Sequence, residues 1–290
     1  MARKERILRP RDSKSYWRQY TEISQKSVGR IELKHTDWDP IILFAGDLYV
    51  EEDHEQQNIE QPLIDFIKSH ELFGANIEAP ICSKGSRQEK YSALRMTPGK
   101  AIPLIKELGL RIALLANNHV MDYGAECLSE TISYLKEADI LYLGAGLHIN
   151  DAFRPLTLNI HGVRITIINF TTVFTLQSLA SIDRPGIAGM KLRTEIHADP
   201  YEIFEEPGAP YIVDAKPFQE DLETITDLVE KSSRSSDLTI TYIHWGVGAL
   251  PYSRIILKYM RELSSVIIDR GSSIIIGSHP HILLPSEKIN

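Results

Sequence analysis

From residue 41 onward, short continuous apolar runs alternate with stretches whose apolar residues recur every three or four positions. The run 41–45 has the length and composition of a buried strand, and residues 61–68 place Pro62, Leu63, Ile64, Phe66 and Ile67 at helical spacing. The same reading predicts helices over 101–108, 127–138, 219–231 and 254–269, and strands over 111–116, 140–143, 238–243 and 273–276. Strands alternating with helices point to an α/β sheet. The segment 156–170 reads differently, as a hairpin turning at His161 and Gly162, so part of the sheet is expected to be antiparallel. Residues 183–217, with five prolines, read as a long irregular insertion, expected to act as a lid on the substrate side.

Residues 1–38 are polar and basic with little periodicity, and are expected to form an extension or a docking arm outside the core. The remainder, 39–290, is expected to be one domain, because the candidate site residues run from Asp47 to His281 and no linker-like composition divides them. A net charge of -7, from 39 acidic and 32 basic residues, argues against a nucleic-acid partner. A cleft holding divalent cations could still attract a small or polymeric anionic substrate, since the ions dominate the local field. Cys82 and Cys127 lack any CxxC spacing and are expected to be reduced packing thiols. The charged start of the chain has no apolar core for translocation, and no run approaches the ~18 apolar residues of a membrane span. The expectation is a cytoplasmic protein without an integral membrane segment, its basic N-terminal residues attracted at most weakly to an anionic surface.

Five apolar runs end in residues able to hold a metal: Gly46-Asp47, Asn76-Ile77-Glu78, Asn117-Asn118-His119, His244-Trp245-Gly246 and His279-Pro280-His281. Side chains that follow parallel strands converge on one crevice at their carboxyl ends, so these residues can meet although far apart in sequence. An isolated Asp47 or Glu78 is more simply a turn cap or a solvated carboxylate, and an isolated His244 a packed imidazole. Asn117 or Asn118 could equally cap a helix. An Asn carboxamide can ligate an ion without adding charge, His119 can donate a proton or stabilise an oxyanion, and Asp122 can orient His119 by accepting its other N–H. His279 and His281, held apart by a rigid proline, can address two neighbouring ions.

Taken in order, the motifs Gly-Asp, Asn-x-Glu-x-Pro, Ala-Asn-Asn-His-x-x-Asp-x-Gly, His-Trp-Gly and Gly-x-His-Pro-His resemble the CapA family of poly-γ-glutamate capsule biosynthesis proteins, within the calcineurin-like metallophosphoesterase superfamily. The likeness spans about residues 39–290 and includes Leu143-Gly144-Ala145-Gly146 and Ile268-Asp269-Arg270-Gly271. It implies an α/β, four-layer αββα sandwich of the metallo-dependent phosphatase type, with C-terminal strands expected beyond Asn290. Carried over by motif, Asp47, Glu78, Asn118, His244, His279 and His281 are the implied metal ligands, and His119 the implied catalytic histidine, with Asp122 behind it. Two departures stand out: Gly248 where the family commonly has Glu, and Gly277-Ser278-His279 where Gly-His-His is usual.

The expected activity is phosphoester hydrolysis by two divalent ions of the Mn, Fe or Zn class, through an activated hydroxide and a proton donated by His119. Two alternatives share the resemblance: a component of poly-γ-glutamate or capsule polymer assembly acting with synthesis partners, and a hydrolase of γ-glutamyl amide bonds.

Overall fold

A computed structural model describes residues 21–22, 42–51, 59–206, 208–209, 211–249 and 252–289. Its first strand, β1 (Thr21–Glu22), is a two-residue segment. The first of two four-stranded sheets follows: β2 (Ile42–Leu48), β3 (Leu72–Ile77), β4 (Ile112–Leu114) and β5 (Leu141–Leu143), in that spatial order and all parallel. After the two-residue β6 (Ala145–Gly146) come β7 (Leu156–Ile160) and β8 (Val163–Thr171), which belong to the second sheet. They form the expected antiparallel hairpin, Ile160 opposite Val163, with φ of 51° at His161 and 86° at Gly162. Two positive φ angles in a two-residue loop match the twist of a hairpin. β8 then pairs in parallel with β12 (Leu238–His244), and β12 with β14 (Ile274–Ser278), giving the order β14-β12-β8-β7.

Helices cover the outer face of each sheet. α1 (Gln61–Lys68), α2 (Pro98–Glu107) and α3 (Gly124–Glu137) lie on the first; α6 (Gln219–Ser233) and α7 (Lys258–Asp269) lie on the second. Between them in sequence are the one-turn helices α4 (Ile149–Ala152) and α5 (Glu202–Glu205). Alternate residues of one strand serve different layers: Ile112 and Leu114 pack between the sheets, Ala113 and Leu115 under the helices. The inter-sheet layer is completed by Leu143, Ile165, Ile167, Ile240 and Tyr242. Strands buried on both faces explain why their sequences are continuous apolar runs. The result is the expected four-layer αββα arrangement. Among the described residues, no helix is long and apolar enough to cross a membrane.

Two expectations change. Residues 183–217 are not irregular throughout: β9 (Gly186–Ile187) pairs with β6, and β10 (Leu192–His197) pairs antiparallel with β11 (Ile212–Pro217) over six residue pairs. Of the described prolines, Pro185 and Pro200 sit outside these ladders and Pro217 at a strand end, where the missing N–H interrupts nothing. Cys82 and Cys127 are not free thiols but a disulfide, with Cα atoms 5.2 Å apart. Cys82 follows β3 and Cys127 opens α3, so packing of the helix on the sheet, not sequence spacing, makes them neighbours. Of the expected N-terminal arm only Thr21 and Glu22 are described, and they pair antiparallel with β13 (Ile255–Ile256); the rest of 1–38 lies outside the described residues.

Candidate metal centre

Because β2, β3, β4, β12 and β14 run parallel within their sheets, their carboxyl ends present successive loops to one edge of the sandwich. Two cross-sheet links align those ends. The Tyr242 hydroxyl donates to the Ala45 carbonyl at 3.0 Å, and Asn169 accepts from Ala116 N at 3.0 Å while donating to the Tyr242 carbonyl at 3.1 Å. A Cβ at Gly144 (φ 89°) would stand 2.0 Å from Asn169 Oδ1, so only glycine leaves room for this link.

Asp47 stands at a bulge. Phe44 pairs with Gly74 but Asp47 with Asn76, so β2 carries one extra residue there and its carboxylate is re-aimed toward the edge. Gly46 supplies no tight approach, since a Cβ on it would meet nothing within 4 Å. Asp47 Oδ1 accepts from Asn76 Nδ2 at 2.7 Å, and Oδ2 from the backbone N–H of His279 at 2.9 Å. Its Oδ1 is 3.5 Å from His244 Nδ1, and its Oδ2 is 3.3 Å from His281 Nδ1. Glu78, directly after β3, places Oε1 3.7 Å from Nε2 of both His244 and His281. Asn118 Oδ1 lies 2.8 Å from His244 Nε2. All six expected ligands therefore share one cluster, and the rings of His244 and His279 stand 4.7 Å apart between centroids.

Side chains outside the expected ligand set hold this arrangement. Buried Asn76 takes a bond from Asn117 Nδ2 at 3.1 Å on its oxygen while its nitrogen serves Asp47. Asn117 also donates to the Ile77 carbonyl and accepts from the N–H groups of His119 and Val120, so it is a brace for the loop and not a ligand. Ser278 Oγ lies 2.9 Å from His244 Nδ1, which helps to orient that ring. His119 Nδ1 lies 2.7 Å from Asp122 Oδ2, the contact expected of an orienting carboxylate. Asp122 also accepts from Lys90 Nζ at 2.6 Å and from Leu94 N at 2.8 Å, and Lys90 was not visible as part of any motif.

The donor set fits divalent cations. Glu78 Oε1 and His279 Nδ1 are buried atoms with no hydrogen-bond partner, an expensive state for a polar atom unless a ligand completes it. Glu78 is common to two groups of converging ligand atoms, one with Asp47 and His244 and the other with His279 and His281. Both His279 (φ 97°) and His281 (φ 55°) occupy left-handed backbone conformations, a cost that persists where a site demands it.

The titration behaviour follows from crowding. Burial, reinforced by the charge of Asp47, pushes the Glu78 carboxyl up to about 8. Burial works in the same direction on Asp47, but its contacts with His244 and His281 outweigh it and hold the group well below the usual carboxylate range. Burial, with the neighbouring His244 and His281, pushes His279 down to about 3, and burial lowers His244 as well. The Asp47 contact raises His281.

Comparison with known proteins agrees with the motifs. The chain is 27% identical over 256 residues to the PGA biosynthesis protein CapA of Bacillus subtilis, covering 85% of this chain and 59% of that protein. It is 27% identical over 221 residues to the capsule biosynthesis protein CapA of Bacillus anthracis, covering 75% and 47%. A probable polyglutamine synthesis accessory protein of Mycobacterium tuberculosis matches at 25% over 176 residues, 59% of this chain and 40% of that one. The chain thus spans about half the length of the curated relatives it matches. Among solved structures, a phosphatase of Mycoplasma pneumoniae aligns over 83% of this chain and 64% of that one, at 15% identity and a TM-score of 0.38. The family model of the bacterial capsule synthesis protein PGA_cap matches residues 40–290, nearly the whole described chain, and the protein belongs to that family, within the metallophosphoesterase-like superfamily.

Proposed function

We propose that the chain is a hydrolase dependent on two divalent cations, acting on phosphoesters. The observation that supports this reading best is the pair of unpartnered buried atoms, Glu78 Oε1 and His279 Nδ1, inside a cluster of two carboxylates, a carboxamide and three imidazoles. Asp47, Glu78, Asn118 and His244 would hold one ion, and Glu78, His279 and His281 the other, with Glu78 shared. When bound, such ions supply Lewis acidity toward phosphoryl oxygens and make water acidic enough to attack at neutral pH.

The chain's own residues supply the rest. With Nδ1–H donated to Asp122, His119 keeps Nε2 for the substrate side and delivers its proton to the leaving oxygen, a role worth typically 10²–10⁴-fold. Asp122 fixes the ring's orientation and tautomer. A mixed nitrogen and oxygen donor set suits Mn, Fe or Zn better than Mg or Ca.

A second reading has its own support, because the relatives are named for capsule, PGA and polyglutamine synthesis. In it, the same centre serves polymer assembly, or cleaves γ-glutamyl amide bonds. The test is elemental analysis of protein loaded with Mn, Fe or Zn, followed by a screen of phosphomonoesters, phosphodiesters and γ-glutamyl peptides. Two ions per chain with phosphoester turnover is the expected result. No more than trace metal in a folded protein defeats the two-metal reading, and turnover of γ-glutamyl peptides alone moves the assignment to amide hydrolysis.

A further inference from the structure

Lys90 lies on the connection between β3 and α2, outside every regular element. Its side chain is only 16% exposed, unusual for lysine, which normally keeps its ammonium in water. The surrounding segment is fastened to the loop that carries Asn118 and His119 at three points: Gln88 N donates to the Asp122 carbonyl at 2.8 Å, Leu94 N to Asp122 Oδ2 at 2.8 Å, and Lys90 Nζ to the Asn118 carbonyl at 2.7 Å. Lys90 Nζ also donates to Asp122 Oδ1 at 2.6 Å.

The two oxygens of Asp122 therefore have separate duties. Oδ1 is held by Lys90, and Oδ2 faces His119 Nδ1 and Leu94 N. An ammonium has donors only, and so does a His119 Nδ1–H, so the 3.4 Å approach of Lys90 Nζ to Nδ1 reflects two donors sharing one carboxylate. A carboxylate fixed at one oxygen cannot rotate, which leaves the other aimed at the imidazole. We propose that Lys90 is a positioning residue for proton transfer: it pins Asp122 behind His119 and, through the Asn118 carbonyl, fixes the main chain from which both Asn118 and His119 project.

This inference rests on the proton-donor role given to His119 above, so its test has one arm that needs no turnover. In metal-free protein, the Nδ1–H proton of His119, identified by its loss in His119→Ala, is expected as a deshielded, slowly exchanging NMR resonance. It should persist in Lys90→Arg and vanish in Lys90→Met, with both variants folded by near-ultraviolet circular dichroism. Its persistence unchanged in folded Lys90→Met overturns the proposal. If Lys90→Met does not fold, Lys90→Gln takes its place with the same criterion. In the second arm, with Mn-loaded protein and a phosphoester substrate, Lys90→Met should lower kcat by about 10- to 100-fold while KM stays within about threefold. In a His119→Ala background the further loss should be under about threefold, because the residue it serves is gone. An equal loss in both backgrounds, or a loss carried by KM, overturns the positioning role. If the native protein hydrolyses no phosphoester, the functional reading falls and the resonance alone decides the role of Lys90.

Discussion

The two halves of the candidate metal centre are built on different principles. The half at the end of the first sheet, with Asp47, Glu78, Asn118 and His119, is braced by side-chain hydrogen bonds: Asn76 to Asp47, Asn117 to Asn76, Asp122 to His119. The half at the end of the second sheet, with His244, His279 and His281, relies on the backbone, because its last loop carries two non-glycine residues at positive φ and a buried imidazole nitrogen with no partner. Each half keeps one buried atom without a hydrogen-bond partner, Glu78 Oε1 in the first and His279 Nδ1 in the second, so a cation would complete both. The residues around the first are nevertheless the more fully braced by side chains. Changes in the first half should therefore disturb orientation and proton transfer as well as binding, whereas changes in the second should act mainly on metal retention.

The largest effect that would sharpen this contrast is kinetic. His119→Ala is expected to lower turnover by about 10²–10⁴-fold while the metal content by elemental analysis stays at the native value. A variant that loses metal as fully as His279→Ala does would break the distinction between proton donor and ligand.

Cross-linking comes next in size. The Cys82–Cys127 bond joins the loop behind Glu78 to the helix behind His119, at a sequence separation of 45. Replacing both by Ala should cost about 4 kcal/mol, read as a lower urea midpoint, since the bond restricts the unfolded chain. An unchanged midpoint would mean that the pair contributes nothing to the braced half.

The proposed ligands of the two halves should respond differently in metal-free protein. Asp47→Asn and His279→Gly should each lower metal content strongly. Without metal, however, His279→Gly is expected to match or exceed native stability by about 1 kcal/mol, because glycine accepts its positive φ and keeps the N–H bonded to Asp47. Asn76→Ala, which leaves buried partners unsatisfied, should lose about 1–3 kcal/mol. Equal destabilisation in thermal melts would remove the contrast.

The pH dependence comes last and reports on the shared carboxylate together with His281, whose raised imidazole must also lose its proton to bind a cation. Glu78, raised to about 8 from an ordinary 4.5, must lose its proton to bind a cation, so affinity by calorimetry should rise about tenfold per unit from pH 6 and level off near 8. The sign for folding is the reverse. A raised carboxyl stabilises the metal-free protein fully below its unfolded value and less as pH climbs through about 8, so metal-free melting temperatures should fall from pH 6.5 to 8. His279, lowered to about 3 from 6.5, contributes stability above 6.5 and loses it only as pH drops toward 3, outside that window. A metal affinity flat between pH 6 and 8 would show that Glu78 is already ionised and His281 already neutral.

What the sequence determined by itself was the strands of the two main sheets and the residues that end them. A buried strand needs a continuous apolar run, and a polar residue at its carboxyl end must interrupt that run. Asp47, Glu78, the Asn117-Asn118-His119 group, His244, His279 and His281 therefore stand out by local contrast, whereas their selection as proposed ligands came from the family resemblance. The helix at Gln61–Lys68 and the hairpin turning at His161 were equally local, set by periodicity and by turn geometry. The tertiary structure decided everything that joins distant segments. Lys90 looks like one charged residue of a loop until folding brings it beneath Asp122, 32 positions away. Asn76 looks like part of a strand end until Asn117 and Asp47 close on it. Cys82 meets Cys127, and β10 meets β11, only through pairings that no spacing announces. The physical reason is the same in each case: apolar periodicity records which residues leave water, whereas a hydrogen bond or a disulfide depends on which two segments the packed layers bring within 3 to 5 Å.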